Sequence, residues 1–338
     1  MSGGSPIEER MAAQDRRVHV NIGPTCNNNC IFCMEEDRDL RREVNSALGS
    51  DRVRVILEAG RGAEEVCFTS GEPTLVRDLP RFLHWARQLG YPRRSLMTNG
   101  RRLASPRYLE LLLSAGLNFV YVSIHGHEAR LHDALTRAPG SFEQTVAGLE
   151  NLHRRRGDSA LTVHTSTVVN RRNLPHLAAI YAFLRERGVD QVVFNVMQAT
   201  GRGDTFFDQL FPPYAEIASA FATFLAGCEE SPEAYLVDIP LCATEGLPDR
   251  NRGYVEAYVH YEAHDPQRAL DPAASRAAGR SGAPAEGLLE VARADLDAVA
   301  REKREACGRC RHDGRCEGVW KSYLARHGWA GLEPVGPA

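Results

Sequence analysis

The chain has 338 residues, 43% apolar and 25% charged, with a formal net charge of −3. That is enough apolar material for a sizeable buried core, and it excludes global disorder. The near-neutral balance gives no basis for a general nucleic-acid or anionic-membrane binder, and no run of 18 apolar residues suggests a membrane span.

The opening stretch, "MSGGSPIEERMAAQD", lacks the apolar core of a secretion signal, so a cytosolic protein is expected. Disulfides are disfavoured there, and the clustered cysteines, seven of the nine, read instead as metal or redox chemistry. Residues 1–16 are expected to be a flexible N-terminus. "RVHVNIG" (17–23) alternates apolar and polar and predicts a strand. A loop with three cysteines follows, then a helix over 43–60 stopped by Gly60. "EVCFTS" (65–70) predicts a second strand and 78–89 a helix ending at Gly90. "RSLMTNG" (94–100) predicts a third strand and 105–115 a helix ending at Gly116. "NFVYVSIHG" (118–126) predicts a fourth strand, followed by a helix over 141–156 with Ser141 as N-cap. "ALTVHTSTVV" (160–169), a helix over 174–187 and "QVVFNVM" (191–197) complete six β–α units, and a long helix covers 213–228.

Such alternation predicts an α/β fold with a parallel sheet covered by helices. Six units fit an open doubly wound sheet or an incomplete barrel, and either puts its chemistry at the carboxyl ends of the strands. A domain boundary is expected near 232, separating 17–231 from 232–338. Within the second part, 265–287 is rich in Ala, Pro, Gly and Ser and reads as a flexible insertion. Residues 288–305 have helical periodicity. "GVWKSYLARHG" predicts a short closing helix, with Trp320, Tyr323 and Leu324 as packing residues.

Cys26, Cys30 and Cys33 are spaced C-x3-C-x2-C directly after the first strand. A structural zinc site would want a fourth local ligand, and Asn27, Asn28, Asn29 and Ile31 offer none. A [4Fe–4S] cluster held by three cysteines would keep one iron open. Cys67 and Cys228 read as inert core thiols. His125 is placed within reach of the site, while His19 and His164 face either a polar barrel interior or outward. Arg202, in "GRGD", would hold an anionic substrate or shape a lid. The arginine pairs, including 101–102, read as solvated surface.

With Phe32 in the position before Cys33, the cysteine motif resembles the hallmark of the radical S-adenosylmethionine (SAM) enzymes. "TSGEPTL" (69–75), "MTNG" (97–100), "VSIHG" (122–126) and "STVVNRRN" (166–173) resemble that family's successive strand ends. The resemblance implies a partial (β/α)6 TIM-like barrel. It implies Cys26, Cys30 and Cys33 as ligands of a [4Fe–4S] cluster that binds SAM. Gly71, Glu72 and Pro73 would then contact the methionyl part of SAM. Asn99, Ser123 and Ser166 would meet its carboxylate or ribose, and Phe32 and Val196 its adenine. An electron from a flavodoxin- or ferredoxin-type donor would release a 5'-deoxyadenosyl radical that abstracts a substrate hydrogen.

Cys307, Cys310 and Cys316 form a second group, C-x2-C-x5-C. Zinc is one reading, since His312 and His327 lie nearby. The spacing also resembles the SPASM and twitch auxiliary domains of the same family. Trp320 stands where a longer SPASM pattern would continue with cysteine, so one auxiliary [4Fe–4S] cluster is implied, with Cys242 as fourth ligand. The implied activity is oxidative modification of a peptide or protein, by cross-linking or side-chain oxidation. The alternative is radical dehydrogenation of a small molecule, and a third reading is a non-catalytic iron–sulfur or zinc protein. The segment before residue 17 is expected to be too short for a peptide-binding leader domain, which weakens the peptide reading without excluding it, since a separate protein can supply that domain. Neither a nucleic-acid nor a membrane partner is expected.

Overall fold

The computed structural model describes residues 17–23, 25–34, 50–157, 160–228, 233–245, 247, 300–314, 316 and 318–336. The expected N-terminus (1–16), the start of the helix expected at 43–60, and the insertion at 265–287 lie outside the described residues.

Seven strands form one parallel sheet: β1 (Arg17–Asn21), β2 (Glu65–Thr69), β3 (Arg93–Thr98), β4 (Phe119–Ser123), β5 (Thr162–Val169), β6 (Gln191–Val196) and β7 (Glu233–Val237). Their order in space is their order in sequence. Every crossover therefore steps the same way. Right-handed crossovers then put the covering helices on one face and leave the other face concave. A doubly wound sheet would need a reversal of strand order, so the arrangement is a partial TIM-like barrel. From sequence, six strands are expected in the sheet, with a further strand-like stretch in "YLVDIPLCATEG" (235–246) beyond the boundary. β7 comes from the five residues "EAYLV", and it carries the sheet past residue 232.

The covering helices are α1 (Ser50–Ala59), α2 (Leu79–Gln88), α3 (Pro106–Ala115), α4 (Ala129–Thr136), α5 (Ser141–Arg156), α6 (Leu177–Arg185), two single turns α7 (Arg202–Thr205) and α8 (Phe207–Leu210), and α9 (Tyr214–Ala226). A two-stranded antiparallel ribbon, β8 (Arg301–Glu302) with β9 (Val319–Trp320), leads into the closing helix α10 (Lys321–His327). Among the described residues no helix is long and apolar enough to cross a membrane. Ser141 is not the N-cap of α5. Gly140 takes that place at φ +76, and Asp133 of α4 accepts from the Gly140 and Phe142 amides (2.7 and 2.8 Å) and from Ser141 Oγ (2.8 Å). A cap supplied by the neighbouring helix ties α4 to α5.

Strand register sorts the side chains into two sets, because successive residues point to opposite faces. Val18, Val20, Val66, Phe68, Leu96, Val120, Val122, Phe194 and Leu236 belong to the main core beneath the helices. Each such buried side chain contributes about 1.5–3 kcal/mol. The opposite set lines the concave face. Phe119, Tyr121 and Cys67 cluster there, apart from Val193, Tyr235 and Val237. His19 pairs in register with Cys67, and His164 with Tyr121, so both histidines face the interior.

The amino ends of the strands are plugged. Glu65, 1% exposed, is ion-paired with Arg17 (3.1 Å) and accepts from Arg93 (3.1 Å) and Ser95 Oγ (2.5 Å). Burial alone would raise its pKa, but the two guanidiniums and the hydroxyl outweigh it and hold the carboxyl below its ordinary range. With that end closed, the accessible part of the concave face lies at the carboxyl ends.

Candidate active site

The cysteine loop lies across the carboxyl end of the sheet, and its backbone is held from four sides. Glu72 N donates to Thr25 O at 2.8 Å. Asn29 N and Ile31 N donate to the carbonyls of Thr136 (2.8 Å) and Leu135 (2.9 Å) at the end of α4. Arg101 Nη1 donates to Asn27 O (2.5 Å) and Asn28 Oδ1 (2.9 Å). Arg202 Nη1 donates to Asn29 O (3.1 Å) and Asn29 Oδ1 (2.5 Å), and the Arg202 amide to Cys33 O (3.0 Å). The three asparagines between the cysteines are therefore acceptors for fixed donors. Arg101, read from sequence as surface, is part of this grip. The nearest signal was its place directly after "MTNG".

The three thiols share one locality. Cys30 is pushed up to about 12, first by burial and then by the charges of Cys33 and Cys26, with Arg202 opposing. Asn28 N donates to Cys26 Sγ at 3.4 Å. Among the described residues no three Cys, His, Asp or Glu side chains converge closely enough to share one ion.

Glu72 does not present its carboxylate to the concave face. It is 1% exposed, and its oxygens accept from Thr74 N (3.1 Å), Thr74 Oγ1 (2.5 Å), Thr98 Oγ1 (2.6 Å) and Asn99 N (2.7 Å). It fastens the exit of β2 to the exit of β3. Burial raises its pKa, and these donors pull the other way. Pro73 is buried at the start of the turn that follows. Ser70 and Gly71 take consecutive positive φ values, +76 and +56. A non-glycine residue at such a φ is strained and marks a functional turn. What this segment offers a ligand is backbone.

Asn99 is turned toward the loop: its Nδ2 donates to Asn27 Oδ1 (2.6 Å) and lies 4.0 Å from Cys26 Sγ. Ser123 and Ser166 are direct register partners on β4 and β5, half-exposed on the concave face. Phe32, 8% exposed, sets its ring edge-on to His125 at 4.8 Å. His125 accepts at Nδ1 from Val168 N (3.2 Å), so its neutral ring carries the proton on Nε2. Val196 stands apart from these residues. It lies on the helix-facing side of β6, fully buried in the main core. The strand-end position was right, but the pleat turns the side chain away from the concave face.

The second cysteine group assembles from two distant segments. Cys242 follows β7 and lines one small cavity with Cys307, Cys310 and Cys316, walled by Trp329 and Leu332. Its thiol is pushed up to about 12, by burial first and then by Cys316, Cys310 and Cys307. Glu245 closes the gap, accepting from Arg311 (2.9 Å) and meeting His312 Nε2 at 3.0 Å. Gly318 N donates to Cys316 Sγ (3.4 Å) and Val335 N to Cys310 Sγ (3.3 Å). The cavity thus gathers four soft donors with amide support, a set suited to iron–sulfur or zinc.

A family model described as the Radical SAM superfamily matches residues 20–184. The chain is 26% identical over 191 residues to Fe-coproporphyrin III synthase of Methanosarcina barkeri, covering 56% of this chain and 46% of that protein. It therefore spans about half the length of this curated relative. SuiB of Streptococcus suis, solved with SAM, superposes with a TM-score of 0.59 at 13% identity, covering 96% of this chain and 76% of its own. anSMEcpe, solved with SAM and the Cp18Cys peptide, gives 0.57 at 16% identity, covering 94% and 93%. That family uses a [4Fe–4S] cluster and SAM. Residues 20–184 therefore form a radical SAM domain, in a chain whose fold matches these structures and whose three thiols are pinned at the carboxyl end of the sheet.

Proposed function

We propose that the chain is a radical SAM oxidoreductase carrying two clusters, acting on a peptide or protein side chain. The carrying observation is the clamped loop, which offers three thiols and no fourth. When bound, the cluster and SAM supply one electron and a 5'-deoxyadenosyl radical that removes a hydrogen atom from substrate. Cys26, Cys30 and Cys33 hold the cluster. The strained backbone at Ser70 and Gly71 and the amide of Asn99 border the space for the methionyl end. Ser123 and Ser166 offer hydroxyls to its carboxylate or ribose. Phe32 and His125 wall off one side from water. Cys242, Cys307, Cys310 and Cys316 would hold a fully ligated auxiliary cluster, which would accept the substrate electron. A flavodoxin- or ferredoxin-type protein supplies the first electron.

Two observations bear on substrate. The solved structures that cover nearly all of this chain include one that carries a peptide beside SAM, which supports the peptide reading. The curated relative named for Fe-coproporphyrin III synthesis supports a second reading, oxidation of a small molecule.

The test is anaerobic reconstitution of the full chain and of a Cys26/Cys30/Cys33→Ala triple variant, followed by dithionite and SAM. The expected result is about eight irons against about four, with 5'-deoxyadenosine from the wild type alone. Absence of SAM binding in the loaded wild type overturns the proposal. Stimulation of SAM cleavage by a cellular peptide fraction supports the first substrate reading, and by a small-molecule fraction the second.

A further inference from the structure

The turn after β6 has no part in the chemistry above, yet it lies hard against the cysteine loop. Gly201 has φ +53, and a Cβ there would sit 2.4 Å from Met34 O and 2.9 Å from Cys33 O. Backbone packs on backbone with no room for a side chain. The next residue, Arg202, bonds the loop on both sides of Cys30. Its amide takes the Cys33 carbonyl and its Nη1 takes both oxygens of Asn29. Its Nε is buried with no protein partner. An anionic substrate would have to compete for a guanidinium already committed to Asn29.

The turn is itself held from the far side. Ser322 Oγ of α10 donates to Ala199 O at 2.8 Å, and Arg326 reaches Asp204 Oδ1 at 3.0 Å. α10 follows Cys316 and the short strand β9. A continuous run of contacts therefore leads from the second cysteine group, through α10 and the 199–204 turn, to the first.

We infer that Arg202 is a positioning residue for the cluster of the first loop, fixing the ribbon around Cys30 and setting the cluster's potential by its charge, with α10 holding it in place. The inference rests on the proposed assignment of that cluster to Cys26, Cys30 and Cys33. Reduction adds a negative charge, which a nearby cation stabilises, so loss of the cation moves the potential down. Arginine's planar fork can bridge two acceptors in a fixed geometry, whereas lysine keeps the charge without the fork.

The experiment uses the full chain with both clusters loaded, as wild type, Arg202→Met and Arg202→Lys. Two quantities are read: the midpoint potential of the cluster whose paramagnetic signal responds to SAM, and the rate at which its iron is lost to a ferrous chelator. Arg202→Met is expected to titrate at more negative potential and to lose that iron several-fold faster. Arg202→Lys is expected to restore the potential and keep the faster loss. Wild-type behaviour of Arg202→Met in both readouts overturns the inference. Should Arg202→Met take up no cluster, Arg202→Lys decides alone: wild-type potential with faster loss supports the inference, and wild-type behaviour in both overturns it. A wild-type chain with no SAM-responsive cluster would defeat the underlying assignment instead.

Discussion

The two cysteine groups solve opposite problems. The first puts three thiols in one short loop and fixes the backbone around them with donors that follow β2, β3 and β6 and with carbonyl acceptors at the end of α4. The second draws Cys242 from the end of the sheet to a cavity shared with Cys307, Cys310 and Cys316, and closes it with ion pairs at Glu245. Three thiols leave a coordination position for a ligand, and four leave none. On the proposed assignment, one group is built to react and the other to stay closed. The same soft donors serve both, so the count and the surroundings carry the difference.

Removing a thiol breaks the comparison most directly. Cys30→Ala should abolish 5'-deoxyadenosine formation, a fall of at least about 10³-fold by the scale of lost catalytic groups, because two thiols cannot hold the cluster. Cys242→Ala should act differently. SAM cleavage should persist within a few-fold of wild type while iron in the second group becomes labile, as counted by chelation. If Cys242→Ala leaves that iron untouched, the second group has only three ligands and resembles the first.

Gly201→Ala sharpens the contrast without touching a ligand. The new Cβ would fall inside contact distance of Met34 O, so the loop or the turn must shift, at a cost of about 1–3 kcal/mol. Iron in the first group should be lost faster and iron in the second should not. Equal loss from both groups would show that the turn supports the whole chain and not the loop.

How far the sequence went differs between the two groups for the same reason. Cys26, Cys30 and Cys33 lie within eight positions (26–33) after an alternating strand, so local spacing declares them. Glycine-terminated helices and alternating strands likewise declared β1 to β6. The clamps were not legible, because Arg101 and Arg202 act across long stretches of sequence and look like any surface arginine. β7 was legible only as a strand-like stretch and not as part of the sheet, because five residues leave little periodicity. Glu72 and Val196 were legible as strand-end residues, but the orientation of their side chains was not: the Glu72 carboxylate turns to Thr74, Thr98 and Asn99, and Val196 lies on the helix-facing side of the pleat. Cys242 had only the cysteine count to suggest it, and Glu245 shows what brings it in.

The smallest expected effect separates the groups by pH. α4 carries the carbonyls that hold Asn29 and Ile31, and His132 lies within it, fully buried, accepting from His125 N at 3.1 Å. Burial pushes its pKa down to about 4, the main cause, with Arg101 adding to the fall and Asp133 opposing it. A group whose pKa is lowered by folding stabilises the fold above its unfolded value. Here the unfolded histidine starts to bind its proton near pH 6.5, so stability is lost between about pH 6.5 and 4, at no more than about 1.4 kcal/mol per pH unit. Hydrogen exchange on the metal-free chain reads this locally. After correction for intrinsic rates, protection of the Asn29 and Ile31 amides should fall over that window, while the Gly318 and Val335 amides, which donate to Cys316 and Cys310, should change less. His132→Gln removes the titration and should flatten the first profile even if it lowers overall protection. A profile still falling in that variant would move the cause to His125, whose ring burial also holds well below the ordinary range, and the acid-sensitive support of the reactive loop would then lie at the end of β4 rather than in α4.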